Sequence, residues 1–193
     1  MNKLAVFASG TGSNYDAMMK AVQQGSLDAE ISLLICDQPN AAVIQKAKHY
    51  GTDVYVFDRK NYDTKEAFEA AMVTTLQKYQ IDWIILAGYM RLIGETLLQP
   101  YQGRIINIHP SLLPSFPGLD AIGQAFEAGV KITGVTIHYV DEGMDTGKII
   151  AQEAVKLEEN MTKEELQHAI QRTEHMLYPR TIQQLIKKGE GRA

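Results

Sequence analysis

Short apolar runs rich in β-branched residues recur at positions 4–8, 31–36, 54–57, 83–87 and 105–108, separated by longer polar segments with helical periodicity. That alternation predicts a parallel α/β sheet. The unbroken run Trp83-Ile84-Ile85-Leu86-Ala87 suits a strand covered on both faces, because a half-exposed strand alternates apolar with polar residues. A helix is predicted near Asp63, with Glu66 three residues on in a capping arrangement. Another starts at Thr162 with Glu165 and carries Leu166, Ile170, Thr173 and Leu177 on one stripe. Positions 136–140 and 149–155 alternate like strands, and residues 141–147 between them suit a hairpin loop. The expected fold class is therefore α/β: an open, mostly parallel sheet with helices on both faces, ending in a β-hairpin and a C-terminal helix. The charged, glycine-containing tail 187–193 is expected to fray.

Composition narrows the picture. The chain has 193 residues, 45% hydrophobic and 22% charged, which fits one globular domain spanning 1–193. A net charge of −4 provides no basic footprint for a nucleic-acid backbone, so small molecules are the expected partners. The apolar run at 4–8 is too short for a signal-peptide core or a membrane span. Cys36 is the only cysteine and no Cys/His cluster has zinc spacing, which points to a reducing, cytoplasmic setting and to chemistry that requires no metal.

Ser9-Gly10-Thr11-Gly12-Ser13-Asn14 joins the first strand to a helical run, aiming backbone N–H groups and a positive helix end at one point. This suits a phosphate. The plainer alternative is a tight turn with Ser13 or Asn14 as the N-cap. A dinucleotide fingerprint is incomplete, because Tyr15 stands where its third glycine belongs. A mononucleotide-like or sugar-phosphate group is favoured, and Asp37 reads as a turn residue.

The most informative stretch is Asn107-Ile108-His109-Pro110-Ser111-Leu112-Leu113-Pro114. Strand geometry points Asn107 and His109 to one face while Ile108 enters the core. If the strand ending at Val140 also runs parallel, the loop 141–147 reaches the same sheet edge and brings Asp145 near His109. A carboxylate beside an imidazole favours its charged, proton-donating form, and an amide such as that of Asn107 can stabilise a carbonyl oxygen that becomes negative. The three together suit acyl transfer to an amine without a covalent enzyme intermediate. Each taken singly could equally cap a strand or organise a loop. His138 is left open as a packed polar residue, a partner of Asp145 or a substrate contact; His49, His168 and His175 fall in helical patterns.

In combination, Gly12-Ser13-Asn14, the segment Ala87-Gly88-Tyr89-Met90-Arg91-Leu92-Ile93, the Asn107–Pro114 stretch and Asp141-Glu142-Gly143-Met144-Asp145-Thr146-Gly147 resemble the phosphoribosylglycinamide formyltransferase family. The resemblance implies a Rossmann-like formyltransferase fold and formyl transfer from 10-formyltetrahydrofolate, as co-substrate, to the amine of phosphoribosylglycinamide in purine biosynthesis. It implies that Gly12, Ser13 and Asn14 hold the acceptor's phosphate, with Glu174 on its sugar or amide part. Asn107, His109 and Asp145 would be catalytic. Lys65, Met90, Arg91, Leu92, Ile93, Val140 and Asp141 would form the folate side, and Leu113–Pro114 is a candidate cis peptide. Asp120 and Lys148 depart from the family's usual His and Pro. The alternatives are a formyltetrahydrofolate deformylase and a nonenzymatic nucleotide-binding module; either a monomer or a homodimer is compatible.

Overall fold

Within β1 (Asn2–Phe7), Leu4 and Val6 enter one buried apolar cluster while Ala5 and Phe7 enter another, as the two-residue side-chain period of a strand requires. The computed structural model describes residues 1–189, and its other strands are β2 (Ala29–Cys36), β3 (Asp53–Val56), β4 (Trp83–Leu86), β5 (Ile105–His109), β6 (Ile132–Tyr139) and β7 (Ile149–Lys156). They make one sheet in the order β3-β2-β1-β4-β5-β6-β7. Strands β1 to β5 pair in parallel, and β6 and β7 extend the sheet as an antiparallel hairpin.

Helices cover both faces. The first cluster packs α1 (Ser13–Gln23), α2 (Ala42–Tyr50) and α6 (Lys163–Lys187) on one side; the second packs α3 (Lys65–Lys78) and the short α4 (Glu95–Leu98) on the other. A helix of about two turns, α5 (Ala121–Glu127), precedes β6. Local chemistry explains the helix starts. Thr162 and Glu165 form a reciprocal capping box on α6, as the sequence predicts. On α3 the cap is Thr64 rather than Asp63: the Thr64 hydroxyl accepts from the Ala67 N–H, and the helix begins one residue later than expected.

One departure matters for the site. Strand β6 runs antiparallel to β5, not parallel, with Asn107 opposite His138 and Ile106 opposite Tyr139. Its end at Tyr139 therefore lies beside the start of β5, and the loop 141–147 must turn back to approach His109. Lys187 is still helical, and residues 190–193 of the segment expected to fray lie outside the described residues.

The strand order reverses between β1 and β4, so the segments leaving these neighbours diverge and open a crevice at the carboxyl edge. The fully buried hydroxyl of Tyr178 fixes α6 above that edge, reaching the carbonyls of Leu86 at 2.7 Å and Ile106 at 3.2 Å. Burial raises its pKa well above the usual tyrosine range, so it remains a neutral donor. Glu174 lies one turn before it on the same helix.

Candidate active site

A cavity of about 560 Å³ occupies the crevice. Its first wall is the turn after β1. Gly12 caps α1 at φ 70° and no side chain takes the first N–H groups, so neither Ser13 nor Asn14 acts as the cap. The turn must be glycine: a Cβ there would lie 2.4 Å from Cγ2 of Val43. The uncapped helix start and its positive dipole end therefore border the cavity.

The Asn14 side chain is used differently. Its amide donates to Oε2 of Glu174 at 3.1 Å, and its own Oδ1 is buried without a protein partner. Burial pushes the Glu174 carboxyl up to about 7, opposed by the Asn14 bond. The pair presents both acceptor and donor capacity to a polar ligand.

Asn107, His109 and Asp145 meet on a second wall. Nδ1 of His109 is 3.4 Å from Oδ2 of Asp145, and Nε2 is 2.9 Å from the Phe116 carbonyl. A carbonyl only accepts, so Nε2 carries a proton and Nδ1 is the atom facing the carboxylate. The Gly118 N–H donates to the same Asp145 oxygen at 2.8 Å. His138 completes the group. Its Nδ1 donates to the Tyr139 carbonyl at 2.8 Å, which leaves Nε2 to accept from the Asn107 amide at 3.3 Å; Asp145 Oδ1 is 3.7 Å from that nitrogen. Burial lowers the His138 pKa, consistent with a neutral ring that accepts from Asn107. His138 is thus the residue that orients the Asn107 amide, and in this neutral form its Nε2 has no proton to share with Asp145. Its signal in the sequence was its position two residues before Val140, but only strand pairing places it opposite Asn107.

The chain as a whole is similar to known proteins. The family model for formyl transferases matches residues 2–182. The chain belongs to the formyl transferase family. It is 53% identical over 186 residues to a phosphoribosylglycinamide formyltransferase of Bacillus subtilis, covering 96% of this chain and 95% of that one. It is 38% identical over 181 residues to the human trifunctional purine biosynthetic protein adenosine-3, covering 94% of this chain but only 18% of that protein. The crystal structure of phosphoribosylglycinamide formyltransferase from Bacillus halodurans superposes with a TM-score of 0.95 at 55% identity, covering 98% of this chain and 97% of that one.

In this formyl transferase, the remaining expected residues divide. Met90, Arg91, Leu92, Ile93, Val140 and Asp141 all line the cavity, with Met90 and Leu92 exposed as an apolar rim. Lys65 does not line it; its ammonium lies 3.7 Å from Glu69, whose carboxylate accepts from the Gly94 and Leu97 N–H groups behind the loop. Arg91 has a structural partner as well. Its Nε donates to Asp37 at 2.6 Å, and Ser9 donates to the other oxygen at 2.6 Å. Asp37 is therefore a buried anchor joining the turns after β1 and β4, not a simple turn residue. Asp141 closes its own loop, accepting from the Gly143 N–H and the Thr146 hydroxyl. Leu113–Pro114 is cis, as the family resemblance implies. Among the described residues, no group of three His, Cys, Asp or Glu side chains could hold a metal ion, and no helix is long and apolar enough to cross a membrane.

Proposed function

We propose that the protein transfers the formyl group of 10-formyltetrahydrofolate to the amine of phosphoribosylglycinamide. The observation that carries this reading is the shared cavity: an uncapped glycine turn suited to a phosphate lies in one hollow with an amide, an imidazole and a carboxylate. The acceptor's phosphate binds the N–H groups of the Gly12-Ser13-Asn14 turn, and the Asn14–Glu174 pair contacts its polar body. The folate lies against Met90, Leu92, Ile93 and Val140, which supply the apolar surface a flat heteroaromatic ring requires.

The acceptor nitrogen attacks the formyl carbon, forming a C–N bond and a tetrahedral centre with a negative oxygen. Asn107 donates to that oxygen through the N–H that His138 leaves free. For His109 to donate as well, Nε2 exchanges the Phe116 carbonyl for the substrate oxygen, a tightening common on forming the reactive complex. Asp145 holds the ring through Nδ1 and accepts, directly or through water, the proton leaving the amine. Collapse breaks the bond between the formyl carbon and the folate nitrogen. That nitrogen takes up a proton, giving the formylated amide and tetrahydrofolate.

Mass spectrometry of the purified protein with both substrates, omitting each in turn, tests the assignment. Formylated product is expected only when both are present. Formate release independent of the acceptor would overturn it in favour of hydrolysis. We also assign the protein to the cytoplasm, a setting that suits the buried free thiol of Cys36.

A further inference from the structure

The segment between Pro114 and α5 has an unusual backbone. Phe116 sits at φ 54°, Gly118 at 79° and Asp120 at 50°, so two residues with side chains occupy the left-handed region that favours glycine. Such a conformation persists where surrounding contacts over-determine it. At one end the contacts are with the proposed reacting groups: the Phe116 carbonyl accepts from His109, and the Gly118 N–H donates to Asp145.

At the other end the segment is tied to two helices. Asp120 Oδ1 accepts from the Gly123 N–H at 3.1 Å, capping α5, and Oδ2 accepts from the ammonium of Lys163 at 3.2 Å, at the first turn of α6. The side-chain amide of Gln124 adds a bond to the Leu119 carbonyl at 2.7 Å. Position 123 is built around this pair. A Cβ on Gly123 would lie 2.1 Å from Asp120 Oδ2 and 2.5 Å from the Lys163 nitrogen. The Lys163 and Gly123 bonds hold the Asp120 carboxyl below its ordinary pKa, so it is ionised at neutral pH.

We propose that the Asp120–Lys163 ion pair is a positioning element for formyl transfer, which fixes the 116–120 segment so that Phe116 and Gly118 hold His109 and Asp145 in register. The proposal rests on the reading of His109 and Asp145 as reacting groups. Asp120 and Lys163 border the cavity and both Asp120 oxygens are engaged by the protein, so the pair is assigned to act through the segment, with unchanged KM values as the sign that it does not touch substrate. An exposed ion pair of this kind biases a local equilibrium by at most about fivefold. That is enough to lower the population of the reactive arrangement without unfolding the protein.

Steady-state kinetics of full-length Asp120→Asn, Lys163→Met, the double variant and Lys163→Arg test this. Asparagine retains the cap and tolerates the left-handed backbone while removing the charge. The first two should each lose about two- to fivefold in kcat with both KM values unchanged, the double variant should lose no more, and Lys163→Arg should keep parental turnover. Gly123→Ala should reproduce the loss by displacing the pair without changing any charge. Multiplying losses in the double variant, or a KM rise for one substrate at constant kcat, would overturn the proposal. Asp145→Asn serves as the reference: normal turnover there removes the catalytic reading itself. A crippled Asp145→Asn beside a normal Asp120→Asn removes only the role of the ion pair.

Discussion

Oδ2 of Asp145 lies 3.4 Å from Nδ1 of His109 and takes the Gly118 N–H at 2.8 Å, so one carboxylate oxygen ties a strand-end imidazole to a loop backbone. Loss of that carboxylate removes both the ring's partner and the proposed proton acceptor. Asp145→Asn is expected to lower kcat by about a hundredfold or more, and Asn107→Ala by about a hundredfold, with substrate binding little altered. Single-turnover rates and equilibrium binding measured together would separate the two effects. Near-normal turnover in either variant would exclude that residue from the reaction.

His138 contacts the Asn107 amide at 3.3 Å and is fixed by its own bond to Tyr139. Removing it frees the amide to rotate while leaving all proposed donors in place. His138→Ala is expected to reduce kcat by roughly tenfold, the effect of about one neutral hydrogen bond, while KM for both substrates stays near parental. A change in KM alone would instead make His138 a substrate contact.

Glu174 has its carboxyl raised from 4.5 to about 7 by burial. The folded chain therefore binds that proton more tightly than the unfolded chain. The resulting stabilisation is fully present below about pH 4.5 and is lost as pH rises to about 7, a contribution of about 3 kcal/mol. Glu174→Gln imitates the protonated form. Relative to the parent it should gain stability between about pH 5 and about pH 8 in denaturant titrations. A stability difference that does not vary with pH would contradict the raised carboxyl.

Gly12 combines φ 70° with a Cβ position only 2.4 Å from Val43. Gly12→Ala is expected to destabilise the fold by about 2 kcal/mol or more, from backbone strain plus displacement of α2. It should also raise the KM of the phosphorylated acceptor more than that of the folate. Adding Val43→Ala removes the contact with Cγ2 but leaves Cβ at 2.7 Å, so it should relieve part of the clash and none of the strain, recovering part of the stability. Full recovery would show that the left-handed backbone carries no cost.

Much of this site was visible in local pattern. The period of two that puts Asn107 and His109 on one face needs only the strand itself, and the Thr162–Glu165 capping box spans a single turn. Contacts between distant segments were not visible. Asp37 resembles a turn residue until Arg91, 54 positions later, is seen to donate to it. Asp63 and Thr64 are both competent caps, and in the folded chain it is the Thr64 hydroxyl that takes the Ala67 N–H. Lys65, placed on the folate side by resemblance, pairs with Glu69 outside the cavity wall.

The sequence by itself determined the α/β alternation, the two-sided burial of the strands, the glycine turn and the residue types of the proposed reacting trio. These follow from hydrophobic period and turn chemistry, which act over a few neighbouring residues. Only the tertiary structure decided that β6 runs antiparallel, that the loop 141–147 turns back to bring Asp145 to His109, and that His138 faces Asn107. Strand direction and pairing register depend on which distant surfaces can be buried together. No local stretch of the chain contains that information.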